Sequence, residues 1–215
     1  MDFNHSVYKL KDFYRKLTVP QFTIVTGLIV IFLGTLVLST PFCSSQNVGL
    51  WEAFFTSTSA ITVTGLTVID IGSDLTIFGQ ILLAFMLLSG GLGLMAITTF
   101  LQGFVVKGAK LRTRLDKGKT LDEFGVGGIG RTFQSIAITA ASIISLGAFI
   151  LYFFGFININ NPWERLWVSI FHSISAYNNA GFSIWNTSIY EYRTNFVVNF
   201  VFIILIVLGG LGWRV

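Results

Sequence analysis

The chain has 215 residues, 53% of them hydrophobic and only 11% charged, with a net charge of +4 and a mean hydropathy of +0.74. A soluble globule carries about a quarter charged residues, and 22 Phe and 5 Trp are too much apolar surface to leave disordered. A single cysteine excludes a disulfide framework or a cysteine-rich metal site. An integral membrane protein remains, and its long uncharged blocks predict it to be all-α.

Residues 1–19 form a basic tail, expected to be cytoplasmic, and no cleavable secretory signal is expected after it. Residues 17–51, 75–106, 132–163 and 194–213 carry no charge at all. Each block holds the roughly 20 helical residues that cross a hydrocarbon core of about 30 Å. Spanning helices are predicted at Pro20–Ser39, Ile77–Leu101, Thr132–Ile157 and Asn195–Gly212. Two shorter uncharged stretches, 53–69 and 166–190, contain Thr, Gly, His172 and Asn, and neither suits a lipid-exposed span.

Basic residues arbitrate the topology. Lys9, Lys11, Arg15 and Lys16 precede the first helix, and Lys107, Lys110, Arg112, Arg114, Lys117, Lys119 and Arg131 lie between the second and third. With Arg214 that puts 12 of 14 on one side, which the positive-inside rule makes cytoplasmic, together with both termini. If 53–69 crossed fully, the basic loop would fall outside. That segment is therefore expected to enter and return on the outer side. The division predicted is a tail (1–19), a first helix–pore loop–helix unit (20–106), a basic cytoplasmic loop (107–131) and a second unit (132–215).

An internal repeat supports two units. A shift of 116 residues lays Trp51–Val68 over Trp167–Ile184 with six identities in eighteen positions, among them Ser57/Ser173, Ser59/Ser175 and Gly65/Gly181. Gly90-Gly91-Leu92-Gly93 recurs as Gly209-Gly210-Leu211-Gly212. Separation by one cytoplasmic loop makes the repeats parallel, which implies a rotation axis along the membrane normal. Non-helical backbone at membrane depth is tolerated only where it lines a cavity or is buried in protein. The turn Thr62-Val63-Thr64-Gly65-Leu66 fits that exception, since a ring of carbonyls can replace a cation's hydration shell without any acidic side chain.

Thr62 to Leu66 in the first loop and Asn178-Asn179-Ala180-Gly181-Phe182-Ser183 in the second, inside tandem helix–pore loop–helix units, resemble the Trk/Ktr/HKT superfamily of potassium transporters. The opening Phe13-Tyr14-Arg15-Lys16-Leu17-Thr18, leading straight into the first helix, is similar to the Ktr membrane subunit rather than TrkH, which has two extra N-terminal helices. The resemblance runs from about residue 10 to 212. It implies potassium uptake at the plasma membrane, with K+ held by backbone carbonyls of residues 62–66 and 178–182 and Na+ as a candidate coupled ion. It further implies a homodimer, cytoplasmic nucleotide-binding RCK regulatory subunits, lipid contact, and no other cofactor. Family members have four pore units, each giving one filter glycine. Two occur here, without the third and fourth units' gating loop and basic residue, so a half-length product or fragment is expected.

Competing readings are weaker. Gly125-Val126-Gly127-Gly128-Ile129-Gly130 spells a dinucleotide fingerprint but has no strand before it and no acid at the right distance after it. His172 has no Cys, Asp or Glu partner at ligand spacing. The glycine pairs at 90 and 209 read as helix packing. Lys107–Lys119 reads as a headgroup-facing loop rather than a nucleic-acid site, and Asn186-Thr187-Ser188 as a chance sequon. An enzyme would show titratable groups at membrane depth, and none appears beyond His172, so no enzymatic activity is expected. A non-conducting scaffold or fragment is the alternative to a pore.

Overall fold

The computed structural model describes residues 19–46, 48–91 and 126–211. Its α-helices are α1 (Val19–Leu38), α2 (Leu50–Ile61), α3 (Ile71–Asp74), α4 (Ile77–Gly91), α5 (Val126–Ile150), α6 (Pro162–Tyr177) and α7 (Phe196–Leu211). A π turn at Leu151–Gly155 extends α5, and a 3-10 turn at Tyr190–Tyr192 precedes α7. Among the described residues, strand-like pairing is limited to an isolated antiparallel bridge between Ser44 and Leu75. The described residues form an all-α fold, as the long uncharged blocks predict.

The chain divides into two compact units. One, Val30–Leu92 with Ile136–Val215, holds both short helices and the turns after them. Of the other, Met1–Ile29 with Gly93–Ser135, the described residues are 19–29 and 126–135, and all are helical.

Three predicted spans coincide with α1, α5 and α7, and α4 begins where the fourth was expected, at Ile77. Residues 92–101 of that span, and Lys107–Lys119, lie outside the described residues. The third helix starts six residues earlier than charge suggested, at Val126 rather than Thr132. Arg131 lies within this helix and does not end it. That start also places residues 126–130 of the glycine-rich motif in the helix, with no loop there to cradle a phosphate. Among the described residues, Gln134–Gly155 is long and apolar enough to cross a membrane. Ile24–Leu38, Ile77–Gly91 and Phe196–Leu211 are shorter apolar helices.

Local signals explain how the short helices begin. The Glu52 carboxylate accepts the Gly49 N–H at 2.7 Å at the start of α2. At α6, the Asn161 side chain accepts from Trp163 N–H at 3.0 Å, ahead of Pro162 in the first turn. Both devices satisfy donors that a helix start leaves without partners.

Helix α2 packs on α4, and α6 packs on α7. The two packings match in detail. The Met86 side chain lies over Gly34, and the Leu205 side chain lies over Gly147. Gly90 abuts the Ile61 carbonyl and Gly209 the Tyr177 carbonyl, each at the last residue of a short helix. Any side chain at these two glycines would overlap that backbone oxygen. The glycine pairs therefore serve close packing, as small residues do between membrane helices.

This geometry separates two adjacent glycines. A Cβ at Gly209 would collide with Tyr177 backbone, whereas one at Gly210 would meet only the Asn179 side chain, at 3.6 Å. Gly209→Ala is expected to destabilise by about 1–3 kcal/mol, and Gly210→Ala by less than about 0.5 kcal/mol. Thermal unfolding in detergent checks the ranking.

Candidate functional site

The two short helices end in the same way. At the end of α2, Thr62 N–H donates to Thr58 O (2.9 Å), Val63 N–H to Ala60 O (3.2 Å) and Thr64 N–H to Ser59 O (2.9 Å). At the end of α6, Asn178 N–H donates to Ile174 O (3.1 Å), Asn179 N–H to Ala176 O (3.0 Å) and Ala180 N–H to Ser175 O (2.9 Å). Each bond of one set has its counterpart 116 residues away in the other.

The backbone angles repeat as well. Val63 has φ +54° and Asn179 +56°; Gly65 has φ +83° and Gly181 +73°. Asparagine tolerates the left-handed region, but a β-branched valine there is an outlier. Glycine occupies it without a Cβ penalty. Strain held at matched positions of two loops marks a shape the surrounding structure imposes.

The direction of the carbonyls follows from peptide planarity. In a trans peptide the N–H of one residue and the C=O of the residue before it point opposite ways. Since the N–H groups of 63, 64, 179 and 180 are turned back to the short helices, the carbonyls of Thr62, Val63, Asn178 and Asn179 face away from them. Among the described residues, no hydrogen bond is donated to the carbonyls of 62–65 or 178–181. The helices also aim their C-terminal, partially negative ends at these turns, and no basic residue lies in either last turn. The arrangement suits a desolvated cation and repels an anion.

The turns lie side by side. A Cβ on Gly65 would overlap the Ala180 carbonyl oxygen, so the loops touch at the glycine of the first. Gly91 abuts the Asn178 side chain, Gly72 abuts the Ile184 carbonyl, and Trp167 Nε1–H donates to Gln80 Oε1 at 2.7 Å. Gln80 is buried and also donates to the carbonyls of Ile71 and Leu75, at 3.3 Å each. It thus ties the turn before α4 to α6, a joint that nothing in the sequence pattern signals. Among the described residues, no atom of a non-neighbouring residue lies within 4 Å of where a Cβ on Gly181 would stand.

Of the ten residues predicted to form the site, Thr62–Gly65 and Asn178–Gly181 occupy the two matched turns. Thr62 Oγ1 donates to Thr58 O (2.8 Å) and pairs with Thr64 Oγ1 (2.7 Å), so these hydroxyls stiffen the turn. The Phe182 carbonyl accepts from Ser175 Oγ at 2.7 Å, while Leu66 is exposed. His172, buried, places Nδ1 2.9 Å from Val168 O and Nε2 3.0 Å from Ser183 Oγ. Trp185 stacks on it at 4.4 Å and on Tyr192 at 5.2 Å. Burial, and then the Glu191 carboxylate beside it, push the Tyr192 phenol above its ordinary pKa. Among the described residues, no three His, Cys, Asp or Glu side chains gather into a group that could hold a metal ion.

Comparison with known proteins decides the family. A family model described as "TrkH: Cation transport protein" matches residues 8–215. The chain belongs to the TrkH family. It is 32% identical over 203 residues to the Ktr system potassium uptake protein B of Bacillus subtilis, covering 93% of this chain and 45% of that protein. Against the Vibrio alginolyticus protein of the same name, identity is 30% over 91% of this chain and 43% of the relative. The potassium/sodium uptake protein NtpJ of Enterococcus hirae is 31% identical over 95% of this chain and 47% of its own length. The chain thus spans about half the length of the curated relatives it matches. The resemblance read from the two loops and the opening segment agrees with these matches.

The two glycines should differ in tolerance. Gly65→Ala adds both left-handed strain, about 1–2 kcal/mol, and a collision with Ala180, whereas Gly181→Ala adds strain alone. Gly65→Ala is expected to lower the thermal midpoint in detergent more than Gly181→Ala does.

Proposed function

We propose that this TrkH-family chain supplies two of the four carbonyl-lined filter segments of a potassium uptake pore in the plasma membrane. The observation that carries the reading is the pair of matched turns whose carbonyls are free and face away from the short helices. A cation entering between such turns exchanges its hydration shell for backbone oxygens of residues 62–65 and 178–181. The helix C-termini behind them add favourable potential at no titratable group. No bond to the ion is made or broken by a side chain, so transport rather than enzymatic chemistry follows.

Four spanning helices with both termini cytoplasmic, two parallel units and two re-entrant short helices complete the proposed topology. The open side at Gly181 is where a third filter segment would sit, supplied by further units or by another copy. Homodimeric assembly and docking on cytoplasmic RCK subunits are proposed from the Ktr resemblance, and Na+ as a second transported ion is supported by the name of the Enterococcus relative.

Uptake of K+ by cells lacking their own uptake systems tests the reading. The chain joined to two further pore units should support uptake, and Gly65→Ser or Gly181→Ser, each adding left-handed strain, should reduce it about tenfold. Unchanged uptake in both variants would reduce the chain to a non-conducting scaffold. Topology is tested separately: Asp74→Cys should label from outside and Lys110→Cys from the cytoplasm, and labelling of both from one side would refute the four-span arrangement.

A further inference from the structure

The two turns share a backbone path but are not held alike. The match continues past the glycines: Ile69 N–H donates to Thr67 Oγ1 at 3.1 Å, and Trp185 N–H donates to Ser183 Oγ at 3.1 Å. Behind this shared path the side chains differ. In the first unit the Thr67 hydroxyl gives its own proton to Ile69 O, two residues on, at 2.8 Å. Thr56 and Ser59 of α2, which stand where His172 and Ser175 stand in α6, are buried with hydroxyls that have no partner. In the second unit Ser175 Oγ donates to Phe182 O at 2.7 Å, and Ser183 Oγ meets His172 Nε2 at 3.0 Å. The far ring nitrogen, Nδ1, lies 2.9 Å from Val168 O. A carbonyl can only accept, so Nδ1 carries the proton, and Nε2 accepts the Ser183 hydroxyl's. The two positions also differ in burial: Phe182 is 3% exposed and its counterpart Leu66 is 60% exposed.

We propose that Ser175 and His172 are positioning residues that latch the second filter segment to its helix and set the ion preference of the pore. Phe182 and Ser183 directly follow Gly181. Pinning both turns the Phe182 carbonyl into the helix and ends the row of free carbonyls at Gly181. Without the latch the Phe182 carbonyl is free to rotate toward the ion path. An added or mobile oxygen lets the site contract around a smaller cation, so K+ loses its advantage over Na+. The first segment is held by its own Thr62–Thr64 and Thr67–Ile69 bonds and needs no such latch. The inference rests on the filter reading above.

The internal repeat provides its own control. Ser175→Ala and Ser59→Ala delete the same buried oxygen at matched positions, one bonded and one not. In the chain completed by two further pore units, K+ uptake is measured against competing Na+, with Gly181→Ser alongside. Ser175→Ala is expected to narrow the K+ to Na+ preference about fivefold, the equivalent of one buried hydrogen bond. Ser59→Ala should leave it within about twofold, and Ser175→Thr, which keeps the hydroxyl, should restore most of it. Ser183→Ala, at a half-buried position, should narrow the preference too, and it carries the test if Ser175→Ala does not accumulate. Equal effects of Ser59→Ala and Ser175→Ala, or none from Ser175→Ala and Ser183→Ala while Gly181→Ser alters uptake, would overturn the latch alone. If Gly181→Ser changes nothing, the filter reading fails first and takes the latch with it.

Discussion

The backbone N–H groups of the turn after each short helix are turned back onto that helix's last carbonyls, three after α2 and three after α6. An unpaired backbone group in an apolar environment is expensive, at several kcal/mol each, so these bonds are what allow non-helical chain there at all. Once the donors are satisfied behind the turn, planarity leaves the acceptors facing forward. The free carbonyls are the complement of the paired amides. Their orientation needs no acidic residue, and none lies in 53–69 or 178–190.

Around that constraint the packing falls into place. Helices α4 and α7 must pass close to the ends of α2 and α6, and Gly90 and Gly209 permit it by presenting bare backbone to the Ile61 and Tyr177 carbonyls. Gly34 and Gly147 receive Met86 and Leu205 in the same manner. From one turn and its neighbouring helix to the other, Gly65 meets Ala180, Gly91 meets Asn178, and Gln80 bonds Trp167. Small residues occupy the places where two backbones approach, and the buried Gln80 amide has both its oxygen and its nitrogen hydrogen-bonded. The function proposed for the TrkH-family chain thus rests on backbone geometry that the surrounding helices impose.

Much of this was legible in the residues. Charge-free blocks located the long helices, since a charge inside a span is costly, and the 116-residue repeat located both turns. The glycines at 65 and 181 were readable because only glycine enters the left-handed region freely, and both are there. Helix ends were less legible: Arg131 suggested a boundary that α5 ignores. The contacts that set the second turn apart were not legible at all. His172 has no partner at a recognisable sequence spacing, and Ser175 and Ser59 look equivalent. Only the fold shows that one hydroxyl reaches a carbonyl seven residues on and the other reaches nothing. Aligned sequence reveals shared backbone path, whereas differences in side-chain bonding depend on where each loop places its neighbours.

The central claim is that matched backbone carbonyls hold the transported cation. Its most direct test is anomalous diffraction from crystals of the completed pore grown with Rb+ as a potassium substitute. The expected result is a peak between the two turns, at hydrogen-bond-like distances of roughly 3 Å from carbonyls of residues 62–65 and 178–181. Rb+ bound only at carboxylates such as Asp70, Asp74 or Glu164, with no density between the turns, would contradict it.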